Sequence, residues 1–257
     1  MCELFGVSSK KDVALNKYLK EFFSHSVKHP DGWGISFMGE GEPLVEKEPL
    51  CALKSRYLTS YLSKPIIGKN MFAHIRYATI GNVEYNNCHP MVRQDAAGRW
   101  WTLIHNGTIF EFEPLHPYVR LQEGDTDSER ILMYIVDCIN SEETRLGHLL
   151  SGEERFQLLD EITVSMSEEN KLNFLLYDGE YMYTHTNYRD TLSYLEQDDT
   201  VIFSTLPLSE EEWKAVPFTT LLAWKDGRLL QKGTNHGHEY IDNPDNIKTL
   251  YQIFSNL

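Results

Sequence analysis

No run of this 257-residue chain approaches the roughly 18 uninterrupted apolar residues that a membrane helix needs, and its first residues lack the basic-then-apolar order of a signal peptide. A soluble, cytoplasmic protein with no membrane partner is expected. Cysteine is scarce: Cys2, Cys51, Cys88 and Cys138 stand at no paired spacing, which argues against a disulfide framework and for free thiols. Basic residues are too few for a polyanion partner, with 24 Lys+Arg against 38 Asp+Glu and a formal charge of -14, so nucleic acid is excluded as an expected ligand. No Pro/Gly/Ser-rich break and no internal repeat divides the chain. One domain over residues 2–257 is expected, with 233–257 as a polar C-terminal arm. There is no Rossmann or phosphate-loop motif. His25 and His29, Cys88-His89 and His236-Gly237-His238 each lack a second pair at zinc-like spacing. Neither a cofactor nor a metal is expected.

What is present is enough apolar material for a substantial core, with 41% hydrophobic and 12% aromatic residues. Cys2 to Val7 reads as a buried strand, and from Asp12 onward Leu15, Tyr18, Leu19, Phe22 and Phe23 fall at helical spacing. Gly32–Met38 and Leu44–Glu48 read as paired strands, Leu53–Leu62 as a helix and Ile66–Tyr77 as a long strand. Trp100–His105 and Thr108–Phe112 flank Asn106-Gly107, the dipeptide most typical of a two-residue hairpin turn. Two helices follow, one lined by Ile131, Leu132, Ile135, Val136 and Ile139, the other by Phe156, Leu159, Ile162 and Met166, with 140–153 between them as a loop or short helix. Asp178-Gly179 and Asp226-Gly227 then mark turns between strands. The expected fold is α+β, antiparallel sheets with helices on their outer faces.

The placement of Cys2 directly after Met1 carries the first chemical signal. Removal of Met1 would leave a thiol and a free α-amine on one residue. Their reference pKa values, about 8.5 and about 7.7–8.0, let the amine accept the thiol proton near neutrality. Arg76, near the end of an apolar strand, could grip a carboxylate in bidentate fashion or serve only as an ion-pair residue. Asn106 and Gly107 could donate two hydrogen bonds to a developing oxyanion, or could be no more than a turn. In Gly124-Asp125-Thr126-Asp127-Ser128-Glu129, Thr126 and Glu129 fit a helix capping box, and one aspartate could instead accept from a substrate ammonium. The glycines of Asp31-Gly32-Trp33-Gly34 permit close backbone approach. A thiol–imidazole pair built from an internal cysteine with His74, His89 or His105 is a further option.

Taken in order, Met1-Cys2-Glu3-Leu4-Phe5-Gly6, Asp31-Gly32-Trp33-Gly34, His74-Ile75-Arg76-Tyr77-Ala78-Thr79, Asn87-Cys88-His89-Pro90, His105-Asn106-Gly107 and the 124–129 segment resemble the class II glutamine amidotransferases, which are N-terminal nucleophile hydrolases. Phe203-Ser204-Thr205-Leu206-Pro207-Leu208 followed by Trp213 resembles most the short stand-alone, YafJ-like group. The resemblance implies a four-layer α/β/β/α sandwich of two antiparallel sheets. It implies that Cys2 attacks the glutamine side-chain amide, that Asn106 and Gly107 hold the oxyanion, that Arg76 binds the α-carboxylate and Asp127 the α-ammonium, and that Tyr77, Thr79 and His89 line the substrate pocket. Ammonia would leave and a γ-glutamyl thioester on Cys2 would be hydrolysed to glutamate.

Most of the family carry a synthase domain that consumes the ammonia, and 257 residues leave no room for one. The expected partners are therefore glutamine or another γ-glutamyl small molecule, with a separate ammonia-accepting synthase as a further candidate. The alternatives are hydrolysis of another γ-glutamyl amide or peptide, a non-catalytic partner protein that keeps the scaffold, and an unrelated α+β hydrolase with an internal nucleophile.

Overall fold

The structure is a computed structural model and describes residues 2–79 and 81–243. Thirteen strands and four α-helices are described. In chain order they are β1 (Glu3–Ala14), α1 (Asn16–Ser24), β2 (Trp33–Met38), β3 (Leu44–Glu48), α2 (Arg56–Leu62), β4 (Ile67–Ile75), β5 (Met91–Gln94), β6 (Trp100–His105), α3 (Asp127–Leu146), α4 (Gly152–Ser167), β7 (Phe174–Tyr177), β8 (Met182–His185), β9 (Ser193–Gln197), β10 (Thr200–Ser204), β11 (Lys214–Ala215), β12 (Thr220–Lys225) and β13 (Arg228–Asn235).

These strands form two sheets with every pairing antiparallel: β11-β9-β10-β1-β4-β2-β3 and β13-β12-β8-β7-β6-β5. Strand alternation sorts the apolar residues into three cores. Phe5, Val7, Ile35 and Ile75 point outward from the first sheet onto Leu19, Phe22 and Phe23 of α1 and Leu58 of α2. Leu4, Phe72, Val201 and Phe203 point inward against Ile104, Leu175, Leu222 and Trp224 of the second sheet. Trp101, Leu103, Leu176 and Tyr183 pack outward onto Ile131, Ile135 and Ile139 of α3 and Leu159 and Met166 of α4. The result is the expected α/β/β/α sandwich.

Several local expectations change. Asn106-Gly107 does not close a hairpin: β6 pairs with β5 and β7, and Thr108 bridges instead to Lys171. Asn106 N–H donates to the Asn173 carbonyl at 2.8 Å, so long-range pairing overrides the local turn preference. Residues 140–146, expected as part of a loop or short helix between the two helices, instead complete α3, which stops at Gly147 in the left-handed conformation (φ 74°). At the other end Thr126 Oγ1 accepts from Glu129 N–H at 3.4 Å, but the Glu129 carboxylate accepts from Glu123 and Gly124 rather than closing a capping box. A complete box occurs at Ser151 and Glu154. The first strand runs on to Ala14 before α1 begins. The helix expected over 53–62 divides into a 3₁₀ turn at Ala52–Lys54 and α2, capped by Ser55. Of the expected arm, 233–235 complete β13 and 244–257 lie outside the described residues. Among the described residues no helix is long and apolar enough to cross a membrane.

Candidate active site

The sheet register brings one end of both sheets together. Glu3 of β1 and Trp33 of β2 both pair with Ile75, the last residue of β4, while His105, the last of β6, pairs with Phe174, the first of β7. Cys2, Arg76 and Asn106 each lie one residue beyond a strand at this end.

Cys2 is half-buried, and its sulfur rests on the Tyr77 backbone, 3.4 Å from the N–H and 3.6 Å from the carbonyl oxygen. Burial pushes its thiol up, the Asp127 charge adds to the rise, and the Tyr77 hydrogen bond and the Arg76 charge oppose it. Without a base this sulfur is therefore protonated near neutral pH.

Asn106 is 2% exposed, and its backbone is locked to Asn173: its N–H donates to the Asn173 carbonyl, and Asn173 Nδ2 donates to the Asn106 carbonyl at 3.0 Å. Its side-chain Nδ2, by contrast, is buried with no hydrogen-bond partner among the described residues. An orphaned amide donor of this kind costs about 1–3 kcal/mol unless something accepts from it. Gly107 follows under steric constraint: a Cβ there would collide with the Lys171 carbonyl oxygen and with His105 Nε2. Gly34 is bound in the same way, because a Cβ would strike the His89 carbonyl oxygen.

Arg76 is buried, and its backbone is tied to the 31–32 segment by Arg76 N–H to Gly32 O (2.8 Å) and Asp31 N–H to Arg76 O (3.0 Å). Its guanidinium donates to the carbonyls of Asn82 (2.8 Å) and Gly81 (3.2 Å), holding the loop that follows. The Tyr77 ring and Thr79 are exposed on that loop. Asp127, at the start of α3, is buried and accepts from Ile109 N–H at 2.8 Å. The two aspartates of the 124–129 segment differ: Asp125 accepts from Asn82 (3.1 Å) and Asn87 (3.3 Å), a loop contact, and the Asp127 charge is felt at the Cys2 thiol, which it helps to raise.

His89 lies behind the site, its ring 4.2 Å from that of His74, centroid to centroid. Both rings are fully enclosed, and none of their nitrogens has a partner among the described residues. Burial lowers His74 to about 3 and His89 well below its ordinary value, and it lowers His105 as well. These histidines are neutral, so none forms a thiolate–imidazolium pair. Cys88, pushed up to about 11 by burial, donates to the Glu84 carbonyl, and Cys51 donates to Ser26. Cys51 and Cys88 are thus tied into the packing as structural thiols. His25 and His29 both hold Glu3.

Sequence reasoning passed over three fully buried asparagines that shape the site. Asn173 fixes Asn106, Asn170 Oδ1 accepts from Phe110 and Glu111, and Asn187 Nδ2 donates to Asn170 O and His238 O. Asn87 likewise joins the 82 and 125 loops. The only cue was the polar residues Asn170, Lys171 and Asn173 ahead of an apolar strand.

The family model described as glutamine amidotransferases class-II matches residues 1–197. An uncharacterised protein of Methanocaldococcus jannaschii is 30% identical over 90% of this chain and 71% of its own length. YafJ of Escherichia coli, whose own assignment to the glutamine amidotransferases is provisional, is 29% identical over 73% of this chain and 74% of its length. The crystal structure of a predicted glutamine amidotransferase from Pseudomonas aeruginosa superposes with a TM-score of 0.65 at 22% identity, covering 90% of this chain and all of that one. With the family model spanning most of the chain over an N-terminal nucleophile fold, this protein belongs to the class II glutamine amidotransferases.

Proposed function

We propose that the protein hydrolyses the side-chain amide of glutamine, with Cys2 as nucleophile once Met1 has been removed. The Cys2 α-amine takes the thiol proton, which the raised thiol pKa makes necessary. The sulfur attacks the amide carbonyl, and the resulting oxyanion accepts from Asn106 Nδ2 and Gly107 N–H. The protonated amine then gives its proton to the leaving nitrogen. Ammonia departs and a γ-glutamyl thioester remains. Water, deprotonated by the same amine, attacks the thioester carbonyl, and collapse releases glutamate and the Cys2 thiol.

Arg76 and Asp127 supply the two charges of opposite sign that an α-amino acid requires, the guanidinium for the α-carboxylate and the carboxylate for the α-ammonium. Tyr77 carries the sulfur on its backbone, Thr79 lines the entry, and His89 supports the floor through its carbonyl packed on Gly34. The released ammonia passes to water or to a separate synthase.

The observation that carries this reading is the buried Asn106 amide with no acceptor among the described residues, beside a backbone where only glycine fits, at the sheet end that bears Cys2. The test uses protein whose intact mass shows Cys2 as the first residue. It is incubated with glutamine and with a panel of γ-glutamyl amides and peptides while ammonia and glutamate are followed. Release from glutamine supports the reading, and release from a γ-glutamyl peptide alone redirects it to that substrate. Release from none refutes it.

A further inference from the structure

The residue after Cys2 is a buried carboxylate clamped by two imidazoles. Glu3 is 4% exposed; its Oε2 lies 2.8 Å from His25 Nδ1 and its Oε1 2.9 Å from His29 Nε2. Both imidazoles donate, since an ionised carboxylate only accepts. Together they hold Glu3 below its ordinary pKa against the opposing effect of burial. The arrangement is conspicuous because the next two residues on the same face of β1, Phe5 and Val7, are apolar and packed on α1. An apolar side chain would fill that space without the desolvation penalty that a buried charge carries.

The clamp reaches the nucleophile through a short chain of contacts. His29 lies two residues before Asp31, and the 31–32 segment holds Arg76 through the two backbone bonds already described. Asp31 Oδ2 also accepts from Ala78 N–H at 2.8 Å. Tyr77, between Arg76 and Ala78, is the residue on which the Cys2 sulfur rests. One segment, 29–32, thus grips the side chain after the nucleophile and the backbone beneath its sulfur.

Terminal residues fray unless something ties them down, and Cys2 stands just outside β1. We propose that Glu3, clamped by His25 and His29, is the positioning residue that fixes Cys2 against the Arg76–Ala78 backbone for attack. This rests on the reading of Cys2 as nucleophile. A misplacement of about 1 Å in a reacting group can cost on the order of 100-fold in rate, which is the scale of effect expected.

The experiment compares wild type with Glu3→Gln, Glu3→Ala, His29→Ala and the Glu3→Ala/His29→Ala double variant. It reads kcat and KM for glutamine hydrolysis, the rate of covalent labelling of Cys2 by the diazoketone analogue of glutamine, and the melting temperature. Glu3→Ala and His29→Ala are each expected to lower kcat and the labelling rate about 10- to 100-fold, with KM within about threefold. The double variant should be no worse than the poorer single one, as members of one clamp are non-additive. Glu3→Gln, which keeps the shape and one acceptor, should recover part of the loss and carries the comparison if Glu3→Ala does not fold. Wild-type labelling and kcat retained in folded Glu3→Gln and Glu3→Ala would overturn the clamp, as would a loss confined to KM or to thermal stability. Wild type that is neither labelled nor active would instead overturn the reading of Cys2 and the clamp with it.

Discussion

Asn106 and Asn173 hold each other by two bonds across 67 residues of sequence, and the side-chain amide of Asn106 is left over. On the proposed mechanism, position and function are thereby separated within one residue: the backbone is anchored, and Nδ2 would donate to the oxyanion that forms during reaction. Asn106→Ala is expected to lower kcat about 100- to 1,000-fold, equivalent to about 2.7–4 kcal/mol, while KM and melting temperature change little. Asn173→Ala should lower both kcat and melting temperature, since it removes the side-chain partner of the buried Asn106 carbonyl and of the Asn187 N–H. Steady-state kinetics with thermal melts on the two variants distinguish these outcomes.

Gly107 and Gly34 are required for space. In each case a Cβ would meet a backbone carbonyl oxygen, that of Lys171 or that of His89, and neither can swing aside as a flexible side chain would. Gly107→Ala is expected to cost about 1–3 kcal/mol and to displace the neighbouring amide donor, so its kcat should fall further than its stability. Gly34→Ala should cost a similar amount by moving His89, with the larger effect on stability. Chemical denaturation beside glutamine turnover checks the contrast.

The sequence made the layers legible because they depend on short-range periodicity. Phe5 and Val7 alternate with Leu4 along β1, and Ile131, Ile135 and Ile139 repeat along α3, so each element announces its buried face. The Asp-Gly turns at 178 and 226 were legible for the same reason, since the residues that dictate them are local. Asn106-Gly107 was misread where its geometry is set by Asn173 and Lys171, which no local pattern encodes. The order of motifs pointed to Cys2, Arg76, Asn106 and Asp127 at one site; the register of β1, β4 and β6 brings the first three chain positions to one end of the sheets, while Asp127 opens α3. The buried asparagines were silent because a polar residue within a loop has no period, and burial is fixed by what folds over it.

The turn at Asp178 is held by a buried charge network. Asp178 Oδ1 accepts from the N–H groups of Glu180 and Tyr181, and Oδ2 accepts from Arg155 Nε and Tyr183 Oη at 2.7 Å each. Asp178 and Arg155 are both almost fully buried, so removing Arg155 leaves the Asp178 charge without its cation, and removing Asp178 leaves Arg155 with Glu180 and the Leu150 carbonyl alone. Asp178→Ala is expected to destabilise by about 3–5 kcal/mol, and Arg155→Ala by a comparable amount. The double variant should cost less than the sum, which a denaturant-unfolding cycle measures directly. The site lies at the other end of β7, so the folded fraction of each variant should keep wild-type kcat.

Acid should unfold this protein through its buried neutral histidines. His74 and His185 are held at about 3 by burial, whereas in the unfolded chain they titrate near 6.5. Between those values the unfolded chain binds more protons, so stability is full above about 6.5 and falls as pH drops toward 3. By pH 5 the loss is about 2 kcal/mol for each such histidine, or 1.5 pH units at about 1.36 kcal/mol per unit. His185 donates from Nδ1 to the Leu172 carbonyl at 2.7 Å, so its Nε2 accepts from His236, 3.0 Å away. That arrangement has no place for a further proton. Unfolding free energies at pH 7 and pH 5 should therefore differ by about 2 kcal/mol less in His185→Gln than in wild type, whatever the variant costs at pH 7. An equal pH dependence in the two proteins would show that His185 is protonated in the folded state.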